Sequence, residues 1–170
     1  MGNGLEIINS SPQLDQILIE KCGGYGIVYS AESDGLLNNS IIRENSLSNI
    51  VIVEKSNPDI RNNDISRGHQ SGIYCNDNGR SIIENNNISG NSHAGVAVSK
   101  LGHPIVRNNV ISGNIGYGGI YVFSRGRGTF ENNKLYDNKK ADFEVTRKCS
   151  PYVNFDNNNA MSETSLIFRN

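Results

Sequence analysis

Residues 119–138 read GIYVFSRGRGTFENNKLYDN, and residues 72–91 read GIYCNDNGRSIIENNNISGN. Two stretches this alike, with another copy between them, mean that one structural unit is being repeated. Extended in both directions, copies begin at Gly4, Gly26, Asn49, Gly72, Gly95, Gly119 and Asp142, with a partial copy from Ser165. The steps are 22, 23, 23, 23, 24 and 23 residues, then 23 to the partial copy.

Each copy can be counted from zero at its first residue. Offset 1 holds Leu5, Ile27, Ile50, Ile73, Val96, Ile120 and Phe143. Offset 3 holds Ile7, Tyr29, Ile52, Cys75, Val98, Val122 and Val145. Offset 11 holds Leu14 (with one residue deleted in the first copy), Leu37, Ile60, Ile83, Val106, Phe130 and Val153. Offset 16 runs from Ile19 through Ile42, Ile65, Ile88 and Ile111 to Leu135, then fails at Asn158. Apolar, mostly β-branched residues two apart mark strands, and no helical period survives across a copy.

Between offsets 11 and 16 stand the pairs Asn62-Asn63, Asn85-Asn86, Asn108-Asn109 and Asn132-Asn133. Asparagine tolerates the left-handed backbone of a sharp bend, and identical asparagines stacked coil on coil can form a ladder. A second polar column runs through Asn45, Asn91, Asn114 and Asn138. Glycine opens most copies, at a corner. At offset 12 the sequence Arg61, Glu84, Arg107, Glu131 alternates in sign, which reads as an outer ion-pair ladder ending at Asn154. These features predict an all-β fold: a right-handed parallel β-helix of about seven coils, each with three short strands. At roughly 4.8 Å per coil the rod is on the order of 30 Å long.

The repeat carries a resemblance. GHPIVRNNVISGN (102–114) and GIYVFSRGRGTFENNKLYDN (119–138) resemble the parallel β-helix repeats of the pectate-lyase-like superfamily. They look most like the carbohydrate-binding and sugar-hydrolase repeat domain of β-helical F-box proteins. The resemblance implies the fold directly. For function it implies either a surface that binds a protein or, as in the wider superfamily, chemistry on acidic polysaccharides. No F-box precedes the repeats, and the Asn-Thr-Asp, Asp-Asp and Arg-Ile-Lys signatures of polygalacturonases are absent from the sequence.

Composition narrows the partners. The 170 residues are read as a single domain, 1–170, with 16 Lys+Arg against 17 Asp+Glu and a net charge of −1. That balance leaves no basic field for nucleic acid. No run of 18 apolar residues offers a membrane span, and MGNGLEIINSS lacks the pattern of a secretion signal. Glu6 stands where a myristoylation motif needs Ser or Thr. The Asn-x-Ser matches at Asn9, Asn38 and Asn87 are read as by-products of an Asn-rich chain. Cys22, Cys75 and Cys149 are odd in number and keep no metal spacing, so the expectation is a reduced, intracellular, cytoplasmic chain.

Outward offsets 2 and 4 of the first strand carry Val51, Val53, Tyr74, Tyr121 and Phe123, an apolar strip on a face expected to meet water. It is read as a surface for a protein partner, with a covering tail or a sugar platform as the alternatives. Offset 5 brings Glu54, Asp77 and Lys100 to consecutive coils, the nearest approach to the constellation of a lyase. A solvated turn explains them as well, because coils of 22–24 residues leave no room for substrate loops. No catalytic residue is therefore assigned. His69 and His93 are placed on one corner without a third ligand, so neither a metal nor another cofactor is expected. Cys75 is read as a small core residue. Solenoid ends expose strand edges, and the first coil (Leu5, Ile7, Leu14) is expected to meet a partner, another copy or further coils. The last coil is expected to degrade into a partial cap.

Overall fold

The computed structural model describes residues 2–160 and 166–169. Three parallel sheets of eight, seven and seven strands wrap one core, and consecutive strands within a sheet come from consecutive coils. The first sheet contains Leu5–Ile8, Ile27–Ser30, Ile50–Ile52, Ile73–Cys75, Ala94–Val98, Gly118–Val122, Phe143–Thr146 and Leu166–Arg169. Pairing follows the repeat: Ile27 faces Ile50, Ile50 faces Ile73, and Ile73 faces Val96. Inward positions of all three sheets interlock as one hydrophobic core of buried Ile, Val, Leu and Phe.

The two residues of each asparagine pair divide the labour. Asn62, Asn85, Asn108 and Asn132 take the left-handed bend, with φ of +56°, +57°, +56° and +53°, and stay exposed. Asn63, Asn86, Asn109 and Asn133 turn inward and are at most 3% exposed. Each uses its side-chain oxygen to accept the backbone N–H of the residue one coil earlier, as Asn86 does from Asn63 at 2.9 Å. Each donates its amide to a backbone carbonyl of the preceding coil, as Asn109 does to Ile83 at 2.8 Å. A buried corner thus keeps its polar groups paired, which close packing alone could not do.

The second column contains an exchange. In the second, fourth, fifth and sixth coils glycine opens the coil and asparagine stands 19 residues on, as in Gly72 and Asn91. In the third coil the two trade places, Asn49 for glycine and Gly68 for asparagine. The Asn49 amide fills the gap: Asn45 donates to its Oδ1 at 2.8 Å, and its Nδ2 donates to Asn91 Oδ1 at 3.1 Å. After Asn138 the column reaches Asp142, whose Oδ1 accepts from Asn138 at 3.0 Å, as a carboxylate can only accept. Glycine at the start of a coil is required by space rather than by φ: a Cβ at Gly72 would lie 2.7 Å from the Gly95 carbonyl oxygen and 2.8 Å from Asn91 Nδ2.

The sequence register needs correction in the last coil. A 3₁₀ turn at Ser150–Tyr152 delays the second strand, so Phe155, not Val153, faces Phe130. Asn158 is consequently not a failed apolar position. It continues the asparagine ladder, accepting from Asn133 Nδ2 at 2.9 Å, and Ala160 takes the core position beside Leu135. Up to Ala160 the coil keeps the ladder, and the part of the expected degradation that falls on residues 161–165 lies outside the described residues. The ion-pair ladder is also shorter than its spacing suggests: Glu84 holds Arg61 at 2.7 Å and Arg107 at 2.9 Å, but Glu131 stacks on Asp156.

Candidate functional site

On the outer face of the first sheet, Tyr74, Ala97, Tyr121 and Glu144 follow one another in register. Ala97 contributes one methyl between two large rings. The result is a groove of about 280 Å³ with Ala97 as floor, Tyr74 on one wall, and Tyr121 and Phe123 on the other. Ser48, Gln70, Ser71, His93 and Tyr117 complete its lining.

The wall is a stack of three rings. Tyr117 and Tyr121 lie 4.6 Å apart at 6°, and Tyr121 and Phe123 lie 4.5 Å apart at 10°. Tyr74 stands parallel to Phe123 at 6.4 Å, and its hydroxyl shares a 2.9 Å hydrogen bond with Ser99. His93 meets Tyr117 edge-on at 5.8 Å, and the Lys140 ammonium sits 5.0 Å over the Tyr117 ring. Offset-parallel and edge contacts at these distances are the attractive aromatic geometries. The stack fixes its own rotamers, so the groove exists before anything binds. It also consumes ring faces: both faces of Tyr121 are covered by its neighbours. Burial, then the neighbouring Glu144 carboxylate, raises the Tyr121 phenol above its ordinary pKa.

The remaining members of the strip behave differently. Val51 is buried at 5% exposure between Val28 and Tyr74, so it supports the strip without presenting surface. Val53 is half-buried. Sequence reasoning missed Gln70, His93 and Tyr117, because they belong to the turn that enters the strand. Their signal was present as a column two residues ahead of each coil start. His93 stacks on Gln70 rather than on His69: its N–H donates to the Gln70 carbonyl, whereas that of His69 donates to Asn45.

Glu54, Asp77 and Lys100 come together on an exposed turn in left-handed backbone, with φ of +52°, +47° and +45°. Glu54 Oε2 accepts the Ala31 backbone N–H at 2.9 Å, a structural use of the carboxylate. Among the described residues no group of three His, Cys, Asp or Glu side chains could hold a metal ion. Cys75 points into the core as expected, and burial pushes its thiol up to about 12.

Glu144 was not foreseen. It is fully buried beside Tyr121, and Arg169 Nε from the final strand approaches its Oε1 at 2.6 Å. No helix among the described residues is long and apolar enough to cross a membrane. No curated protein matches the chain. The family model for the right-handed β-helix region matches residues 3–162, and the chain belongs to that family.

Proposed function

We propose that this protein is a non-catalytic binding scaffold, a rigid β-helix that holds a partner protein by an apolar side chain seated over Ala97. The observation that carries the reading is the ring stack. A sugar-binding platform needs open aromatic faces, and here Tyr117, Tyr121 and Phe123 spend theirs on one another. What remains for a ligand is an apolar slot of about 280 Å³, just under the roughly 300–1,000 Å³ of small-molecule sites. A preformed aromatic slot with a polar rim of Ser48, Gln70 and Ser71 suits a single hot-spot side chain. The likeness of 102–114 and 119–138 to the β-helices of F-box proteins, which hold a protein, supports the same reading. Cys22, Cys75 and Cys149 are all free thiols, which suits the reducing interior of a cell.

The test is affinity capture from native lysate with wild type and the Tyr121→Ala/Phe123→Ala variant, with a glycan array run in parallel. Melting curves confirm that both chains are folded. A protein retained by wild type and lost from the variant is the expected result. A glycan bound by wild type and lost from the variant would replace the reading with a carbohydrate-binding one.

A further inference from the structure

The turn joining the first sheet to the second stacks into one corner along the rod, and its charges are sorted by position. In the second and third coils it carries Glu32, Asp34 and Glu54 against Lys55. In the fifth to seventh coils it carries Lys100, Arg125, Arg127, Arg147 and Lys148 and no carboxylate. All of these residues are exposed. The fourth coil, with Asp77 and Arg80, is where the sign changes.

This sorting departs from the pairing seen on the other faces of the earlier coils. On the other faces of the first four coils stacked charges pair: Arg43 with Glu20 at 2.7 Å, Arg67 with Glu44 at 2.8 Å, Arg61 with Glu84 at 2.7 Å. On the corner, among the described residues, the ion pair is Lys55 with Glu32 at 3.1 Å, and the five cations of the later coils have no carboxylate within 4 Å. Further, Arg80, His103 and Arg127 follow one another in the same column, where like charges in register repel. Burial, Arg127 and Arg80 accordingly hold His103 below its ordinary pKa.

We propose that this corner is a self-association surface, on which a second copy of the chain lies antiparallel. A two-fold axis at the fourth coil sets the acidic coils of each copy against the basic coils of the other. The contact is isologous and closed, so it makes a dimer rather than a fibre. A polyanion would meet the basic half and be repelled by the acidic half, whereas an antiparallel second copy sets three carboxylates against the five cations and gives both halves neighbours of opposite sign. The contact is built from exposed charges, so it is weak and salt-sensitive.

Sedimentation velocity of the whole protein tests this, at about 10 mM and about 1 M salt, where screening lengths are roughly 30 Å and 3 Å. The expected result is a dimer at low salt and a monomer at high salt. Arg125→Glu/Arg127→Glu and Glu32→Lys/Asp34→Lys should each weaken association at least tenfold, and mixing the two variants should restore it. Thermal melts establish that both variants fold. Three results would overturn the proposal. One is a monomer at low salt, including one that binds poly-glutamate, which would make the corner a polyanion site. Another is association that survives high salt and both charge reversals, which would point to the open solenoid ends. The third is a failure of the mixed variants to associate.

Discussion

Tyr29 occupies an inward position that isoleucine or valine fills in most coils, and it is fully buried. Among the described residues its hydroxyl has no hydrogen-bond partner. Burial drives its pKa well upward. An orphaned buried hydroxyl costs about 1–3 kcal/mol relative to a paired one. Tyr29→Phe should therefore raise stability by about 1 kcal/mol in urea unfolding, where most core substitutions lower it. Glu144 gives a second residue-scale expectation. Burial raises its pKa, against the opposing pull of Arg169 and Lys140. A raised folded-state pKa means that the stability from this group is present at low pH and is lost as pH climbs above the ordinary carboxylate range through the raised value. Glu144→Gln should melt higher than wild type at neutral pH and level with it below about pH 4. Equal melting temperatures across the whole range would show that Arg169 fully compensates the charge.

At the scale of the element, the stacked polar corner decides the register. Asn49 and Gly68 are an internal experiment, because they exchange the residues that Gly72 and Asn91 hold one coil later. A Cβ at Gly68 would come within 2.9 Å of Asn49 Nδ2, so Gly68→Asn alone collides with the side chain that replaced it. Asn49→Gly alone leaves Asn45 and Asn91 without their shared partner. Each single change should cost about 1–3 kcal/mol, and the double change should recover most of both. Additive losses in denaturant titrations would mean that the two sites are uncoupled. The strands of the solenoid were legible because inward positions repeat Ile, Val and Leu at fixed offsets. The last coil was not, because counting cannot see a 3₁₀ turn at Ser150–Tyr152 that puts Val153 beside Gly128 and Phe155 beside Phe130. The groove was half legible. Tyr74, Tyr121 and Phe123 lie on strand offsets that alternation reveals. His93 and Tyr117 enter from a turn, and the role of Ala97 lies in being small, which no pattern of large residues announces.

The whole molecule is a rod whose corners are held by ladders, so what its surface offers is set by which outward positions break the polar rule. The aromatic stack breaks it on one face and the sorted charges break it on a corner, and the two make separate demands. Loss of the corner's charges should leave the groove intact, since none of them lines it. The most direct measurement is photo-cross-linking in native lysate from a photoreactive residue placed at Gln70, on the groove's rim, with and without Ala97→Trp to fill the floor. The expected result is a discrete protein adduct that the plugged variant no longer forms while its melting temperature is kept. An adduct of equal yield with the groove filled, or adducts with glycan alone, would contradict it.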